Sequence, residues 1–311
     1  MGWVKQISKP RRTLSASDNK IRFVWSSDEH VGYADTDAQV LAVDLAVNDC
    51  NDWLPNAFIS TGDVCGNNIY QLDRWFYHMW RCQRPVYLVM GNHDRSEYSP
   101  GSYGNPASVS GETLMDREKP YYYSEVLISG DGAVRALCLF LDCNFYADDP
   151  TPLNEPGNSL YHSAGDAIGA SDITPGGGFY KMFPQEELDW ITATLAADVL
   201  SDYVLVFMHY QPRVDSKLTN QAALADVLQA DSRPIIGFCG HDHGNALVCS
   251  LATTDALRTF NFYKVPSLQE SGAWCRVTLG WNGSAIAIDG MELYHYTDPG
   301  EWTVNAPFTV A

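Results

Sequence analysis

Five short segments of the chain carry aspartate, asparagine and histidine directly after apolar runs. They are Ser27-Asp28-Glu29-His30, Gly62-Asp63-Val64-Cys65-Gly66, Gly91-Asn92-His93-Asp94, Met208-His209-Tyr210 and Gly240-His241-Asp242-His243. Their oxygen and nitrogen donors are those that divalent transition metals accept. The candidate metal ligands are Asp28, His30, Asp63, Asn92, His209, His241 and His243. This set is large enough to bind two adjacent cations. His93 is the one histidine of the five motifs that the set does not include.

A pair of cations suits the hydrolysis of phosphate esters, because the ester and the attacking hydroxide are both negative. Cations about 3.5–4 Å apart clamp the attacking and the leaving oxygen, and they lower the pKa of a shared water. Building such a pair requires one bridging carboxylate with nitrogen and oxygen donors on each side. The ligand types therefore predict a metal-dependent hydrolase of phosphate esters.

Spacing within the first two motifs predicts how their side chains converge. Asp28 and His30 are two residues apart, so in an extended segment both face one side and Glu29 faces away. In the second motif Gly62 has no side chain, so the backbone next to Asp63 can be approached closely.

The later motifs supply the remaining donors. His241 and His243 repeat the spacing of two and can face one side together. Asn92 offers a neutral carbonyl oxygen. The adjacent His93 must then point elsewhere, and this frees it to act on a substrate.

Apolar runs and helical spacing alternate along the chain. The predicted strands are 21–25, 57–60, 85–90, 121–128, 134–141, 203–208, 235–239, 259–264, 275–279, 285–289 and 293–296, and the predicted helices are 38–51, 69–82 and 184–196. This alternation favours a largely parallel or mixed sheet covered by helices, and such sheets bind ligands beyond the carboxyl ends of their strands. Each motif lies at such an end. We predict a single domain over residues 21–311, a flexible N-terminal arm over 1–20, and long loops at 96–120 and 147–178.

Composition and net charge limit the classes of partner that the chain is expected to bind. The chain has 311 residues, 45% of them hydrophobic, and a net charge of −18. That charge repels polyanions, whereas nucleic-acid binding depends on Lys and Arg, so we expect a small phosphate ester as partner and no nucleic acid.

A membrane helix needs roughly 20 apolar residues, and no such run occurs. The eight cysteines form no CxxC pair and no secretory signal is visible, which favours reduced thiols and a cytoplasmic location.

Taken in order, the five motifs resemble the pattern of the calcineurin-like metallophosphoesterase superfamily, which is DxH, GDxx(D/G), GNH(D/E), a lone His and GHxH. The resemblance spans about residues 21–245. It implies one metal held by Asp28, His30 and His243, a second held by Asn92, His209 and His241, and Asp63 as the bridge.

The resemblance also implies a role for the rest of the third motif. His93 is expected to contact the scissile phosphate or to protonate the leaving oxygen, with Asp94 as its orienting partner. The implied fold is a four-layer α/β/β/α sandwich of two mixed sheets flanked by helices. The donor set suits manganese, iron or zinc.

Departures from the superfamily pattern narrow the branch. Purple acid phosphatases have Tyr at the position of Gly66 and Gly at that of His30, and protein Ser/Thr phosphatases carry arginines that this chain lacks near its second and third motifs. With these two branches set aside, the chain resembles the cyclic-nucleotide and glycerophosphodiester phosphodiesterase branch. It differs from many members of that branch in having Tyr210 at a position where they have histidine. The expectation is a phosphodiesterase that works by in-line attack of a metal-bridging hydroxide. The alternatives are a phosphomonoesterase of the same fold and a non-catalytic scaffold.

Overall fold

The computed structural model describes residues 18–31, 37–65, 69–91, 93–94, 122–143, 145–146, 181–183, 185–212, 221–244, 247–252 and 258–295. The predicted loops at 96–120 and 147–178, and most of the predicted N-terminal arm, lie outside these residues.

A first mixed sheet contains the strands that precede the first three motifs. In the described part of the chain its strands are β1 (Ile21–Ser26), β2 (Ala57–Ser60), β3 (Val86–Leu88), β12 (Ala273–Trp281) and β13 (Ile286–His295). Their spatial order is β13-β12-β1-β2-β3. β1, β2 and β3 run parallel, and β12 and β13 pair antiparallel at the other side. The carboxyl ends of the three parallel strands therefore share one edge.

A second mixed sheet contains the strands that precede the last two motifs. Its described strands are β4 (Tyr123–Ile128), β5 (Arg135–Phe140), β8 (Tyr203–Phe207), β9 (Ile235–Cys239), β10 (Leu247–Ala252) and β11 (Thr259–Lys264). They follow the order β10-β11-β9-β8-β5-β4, in which β5, β8, β9 and β11 are parallel. In a separate two-stranded sheet, β6 (Phe145–Tyr146) pairs antiparallel with β7 (Lys181–Met182).

Aromatic side chains fill the space between the two sheets. Phe23 of β1 meets Phe207 and Phe238 of the second sheet edge to face, with ring centroids 5.6 and 5.1 Å apart. Trp25 packs on Phe238 in the same way at 5.1 Å. All four side chains are fully buried. Since such rings bury large apolar areas and prefer edge-to-face contact, this layer holds the sheets face to face.

Helices cover the outer face of each sheet. α1 (Asp37–Trp53) and α2 (Ile69–Met79) pack on the first sheet, and α3 (Gln185–Ala197) and α4 (Gln221–Gln229) pack on the second. A single turn, α5 (Leu268–Ser271), lies between β11 and β12. The predicted α/β/β/α sandwich is confirmed. None of the described helices combines the length and the apolar composition that crossing a membrane requires.

Several predicted elements differ from the observed ones. Residues 285–289 and 293–296 were expected as two strands, but β13 runs through both and pairs with β12 across a register shift at Thr278 and Leu279. The helix α4, the strand β10 and the turn α5 were not predicted. Asn282-Gly283 lies in the turn between β12 and β13, with Gly283 at a φ of +97°.

Seven cysteines with described side chains are buried, and none of them forms a disulfide. They are Cys50, Cys65, Cys82, Cys138, Cys143, Cys239 and Cys275. Since they lie among apolar side chains of the cores, they behave as small hydrophobic residues.

Candidate metal centre

The carboxyl ends of the parallel strands of both sheets meet at one place. Asp28 and Asp63 follow β1 and β2, while His209 and His241 follow β8 and β9. A hydrogen bond from the His241 backbone N–H to Asp28 Oδ2, 2.9 Å long, crosses directly from one sheet edge to the other. Side chains from both sheets therefore face a common space.

Left-handed backbone turns these side chains inward. Asp28, His30, Asp63 and His241 have φ values of 53°, 43°, 54° and 70°. The extended segment expected for the first motif is therefore wrong, although Asp28 and His30 do reach the same group of ligands. Each such residue costs about 1–3 kcal/mol, and strain of this kind clusters at functional sites.

Glu29 turns away from the site, as predicted. Its carboxylate accepts hydrogen bonds from the hydroxyls of Ser26 at 2.6 Å and Ser60 at 3.0 Å. Because the side chain is fully buried, its pKa is raised to about 8. Glu29 thus joins the ends of β1 and β2 behind the candidate ligands.

One ligand group consists of Asp28, His30 and His243. The Nε2 atoms of the two histidines are 3.1 Å apart. His243 Nε2 also lies 3.3 Å from Asp28 Oδ1, and His30 Nε2 lies 4.0 Å from the same oxygen. All three donor atoms therefore point at one another across a small gap.

A second ligand group consists of Asp63, His209 and His241. His209 Nε2 lies 3.2 Å from Asp63 Oδ2 and 3.2 Å from His241 Nδ1. His209 Nδ1 lies 2.8 Å from the carbonyl oxygen of Thr61, which orients the ring. His241 belongs to this group and His243 to the first one, which is the division that the resemblance implies.

Asp63 lies between the two groups. Its Oδ2 is 3.2 Å from His209 Nε2 on one side and 4.0 Å from His30 Nε2 on the other. Its Oδ1 accepts a 2.7 Å hydrogen bond from the backbone N–H of His93. The carboxylate is thus held from the third motif while its second oxygen faces both groups.

The spacing of the donors fits metal ions. A zinc ion binds histidine nitrogen at about 2.0–2.1 Å, so neighbouring donors on one ion lie about 3–3.5 Å apart. Asp28 Oδ1 is also fully buried, with His243 Nε2 3.3 Å away. Burying a carboxylate oxygen is costly, and a cation would relieve that cost.

Electrostatics of the two groups also favour a cation. Burial alone would raise the pKa of Asp63, but His209 and His30 hold it far below its ordinary value. Burial alone would lower the pKa of His209, but Asp63 raises it to about 9. Hydrogen bonding to Asp28 likewise raises the pKa of His243 to about 9. The carboxylates thus attract positive charge, and metal ions would replace these protons because histidine ligands bind in the neutral form.

The contacts of Asp94 differ from the expected ones. Its Oδ2 accepts backbone N–H groups of Asp63 at 2.8 Å and Gly91 at 2.9 Å, and its Oδ1 accepts that of Cys65 at 3.0 Å. Among the described residues these contacts, with the Cys65 thiol, occupy the carboxylate. Asp94 was expected to orient the His93 ring; instead it ties the second motif to the third.

The His93 ring lies beside the ligands. It packs edge to face on His30, with ring centroids 4.7 Å apart, and its ring forms a further acid–histidine group with His30 and Asp63. The side chain is half-buried. A ring in this position can reach a substrate at the same space that the ligand groups face.

Asn92 was expected as a ligand and lies outside the described residues, as do His162 and the side chain of His295. His78 lies away from the ligand groups. Its Nδ1 is 2.7 Å from Asp44 Oδ1, and this contact joins α2 to α1.

Residues missed by the sequence analysis support the last motif. Glu270 Oε1 lies 2.7 Å from His243 Nδ1. Asp242 is held by Lys264 Nζ at 3.0 Å and by Gln211 Nε2 at 3.2 Å. The sequence Ser267-x-x-Glu270 is a helix-start signature that could have located the turn, but it does not indicate a contact with His243.

The sandwich and its clustered acid and histidine donors define a metal-binding α/β hydrolase. The model of the family described as calcineurin-like phosphoesterase matches residues 21–245. This range is more than half of the chain, and the chain belongs to the calcineurin-like phosphoesterase family. It is accordingly a metallophosphoesterase, and members of this family use divalent metal cofactors. No curated protein sequence matches the chain.

Solved structures share the fold. A dimetal phosphatase from Danio rerio is 18% identical with a TM-score of 0.59, over 89% of this chain and 96% of that one. GAP50, the anchor in the inner membrane complex of Plasmodium, is 13% identical with a TM-score of 0.56, over 94% and 91%. A purple acid phosphatase from yellow lupin is 15% identical with a TM-score of 0.51, over 93% of this chain and 53% of that one. At these identities the similarity establishes the fold alone.

Close packing at Gly91 generates a prediction. A β-carbon at this position would overlap the carboxylate and the backbone nitrogen of Asp63. We expect Gly91→Ala to displace Asp63 and to abolish stoichiometric metal binding, measured as metal content after dialysis against Mn²⁺. Gly244→Ala is the control, because the nearest described atom to its β-carbon, apart from its chain neighbours, is Lys264 Nζ at 3.6 Å. A Gly91→Ala protein with the metal content of the unmodified chain would contradict the packing argument.

Proposed function

We propose that the chain is a dinuclear phosphodiesterase that hydrolyses a small anionic phosphate ester. The observation that carries this proposal is the position of Asp63 Oδ2, which lies between His30 Nε2 and His209 Nε2 at 4.0 and 3.2 Å. A carboxylate shared in this way is what a pair of adjacent cations requires. The net charge of −18 favours a small substrate over a nucleic acid.

The candidate ligands divide into two sets around Asp63. Asp28, His30 and His243 would hold one ion, and His209 and His241 with Asn92 would hold the other; the role of Asn92 rests on the motif alone. When bound, two divalent cations supply positive charge to the attacking and leaving oxygens and lower the pKa of a water molecule. Manganese, iron and zinc all suit these donors.

Protein groups supply the positioning and the proton. Asp63 is held in place by the His93 backbone N–H, and the His209 ring is oriented by the carbonyl of Thr61. The His93 side chain, beside His30, is placed to stabilise the charge on the phosphate oxygens and to give a proton to the leaving oxygen. Asp94 keeps the second and third motifs together and so preserves this geometry.

A preference for diesters over monoesters is supported by the motif pattern. The chain lacks the tyrosine and arginine features of purple acid and protein Ser/Thr phosphatases. A phosphomonoesterase is the second candidate, because one similar structure is described as a dimetal phosphatase. The same ligand groups would serve both candidates. The two candidates therefore differ in their substrate and not in their metal ligands.

The substrate class is tested with a monoester, a diester and a cyclic phosphate after loading with Mn²⁺, Fe²⁺ or Zn²⁺. We expect kcat/KM on the diester or the cyclic ester to exceed that on the monoester with at least one metal. A higher kcat/KM on the monoester with every metal would favour the second candidate.

A non-catalytic scaffold is the alternative from a different class. The fold permits it, because GAP50 has the same fold and is described as an anchor. The candidate ligands and His93 favour an enzyme, since a scaffold has no need to bury carboxylates beside histidines. Purification without stoichiometric metal, and without activity after metal loading, would support the scaffold.

Replacing Asp63 tests the shared carboxylate. Asp63→Asn removes the negative charge between the two groups, so we expect metal binding and activity to be lost together. Metal content and kcat are measured on the same preparation. Asp44→Asn, which changes an aspartate of α1 whose side chain contacts His78 of α2, is the control and should retain both. Full activity in Asp63→Asn would exclude the bridging role.

Replacing His93 tests the proton donor. His93→Ala retains the backbone N–H that binds Asp63 but lacks the ring. We expect both metals to remain and kcat to fall about 10²–10⁴-fold, the usual range for general acid–base catalysis. His78→Ala removes a histidine outside the site and serves as the control for kcat. Loss of metal in His93→Ala would show that the ring is a ligand instead.

A further inference from the structure

The turn α5 is fastened to the first motif. The turn and its N-cap residue Ser267 donate three hydrogen bonds to backbone carbonyls of that motif: Leu268 N–H to Ser27 at 3.0 Å, Gln269 N–H to Asp28 at 3.2 Å and Ser267 Oγ to Asp28 at 2.9 Å. Ser267 and Leu268 are buried. The turn is therefore held in a fixed place beside the first ligand group.

Both ends of the turn are capped. The Ser267 side chain accepts the backbone N–H of Glu270, and Gly272, in a left-handed conformation with φ 61°, closes the other end onto the carbonyl of Leu268. In a capping box the glutamate side chain would return to the backbone N–H of the capping serine. Here the Glu270 carboxylate contacts the His243 ring at 2.7 Å.

This contact leaves one nitrogen of His243 for the ligand group. Nδ1 faces Glu270, whereas Nε2 lies 3.1 Å from His30 Nε2 and 3.3 Å from Asp28 Oδ1. A carboxylate on the far nitrogen of a metal-binding histidine selects its tautomer, orients its ring and makes it a better ligand. The geometry for this effect is present at His243.

We propose that Glu270 is a positioning residue that holds His243 with Nε2 directed at the metal of the first ligand group. It lies beyond residue 245, where the family match ends. The proposal rests on the proposed function, because it requires a metal at Asp28, His30 and His243. His209 is oriented by the Thr61 carbonyl instead, so Glu270 acts on one of the two metal sites.

The test is titration of the metal-stripped chain with Mn²⁺ by calorimetry. We expect two binding events in the unmodified chain, and in Glu270→Ala we expect one of them to weaken by about 10- to 100-fold in Kd. Glu270→Gln keeps an oxygen that can accept the Nδ1 hydrogen, so it should recover part of the loss. Gln269→Ala is the matched control, because it shortens the neighbouring side chain on the same turn and keeps its backbone bond to Asp28.

The outcomes separate the two proposals. Two Mn²⁺ sites with unchanged Kd values in Glu270→Ala would overturn the role of Glu270 and leave the proposed function in place. Equal weakening in Glu270→Ala and Gln269→Ala, or no recovery in Glu270→Gln, would also overturn it, because the effect would then belong to the turn and not to the carboxylate. No Mn²⁺ binding by the unmodified chain would overturn both proposals.

Discussion

Three carboxylates buried at the meeting edges of two sheets are the constraint on which the rest of the structure depends. Asp28, Asp63 and Asp94 are all excluded from solvent, and a buried charge is unfavourable unless it is paired or binds metal. Asp94 is satisfied by backbone N–H groups, and burial together with Asp63 raises its pKa. Asp63 keeps its negative charge through the histidines around it. Negative charge is thus concentrated at Asp63, beside both ligand groups, where a bound cation would offset it.

The backbone conformation at the strand ends determines where these charged side chains point. Left-handed conformations at the ends of β1, β2 and β9 turn Asp28, Asp63 and His241 into the gap between the sheets. Such turns bring backbones so close that side chains are excluded: a β-carbon at Gly62 would lie 2.6 Å from Gly91 N. The rigid layer of aromatic rings between the sheets keeps both edges in register. The strain at the site is therefore sustained by packing elsewhere in the fold.

The sequence predicted which residues come together at the candidate site better than it predicted the backbone conformation of those residues. Apolar runs located β2 and β9 at their observed bounds, and the motif order brought together the acid and histidine donors that the structure describes. The period of two predicted an extended first motif, but it holds only for strands, and Asp28 and His30 are left-handed. β13 was divided because Gly290 interrupts its alternation at the register shift. Asp94 could not be placed from sequence, because its partners are backbone N–H groups that carry no sequence signal.

Residues beyond the family match complete the site. β12 pairs with β1, and β11 pairs with β9, so each of these motif-bearing strands has a neighbour from the segment after residue 245. From the same segment Lys264 holds Asp242, and Ser267 binds the carbonyl of Asp28. A strand that lost its neighbour would expose unpaired backbone groups, and the left-handed residue at its end would lose the packing that sustains it. The metal-binding motifs are therefore confined to residues 21–245, but the structure that holds them in place is not.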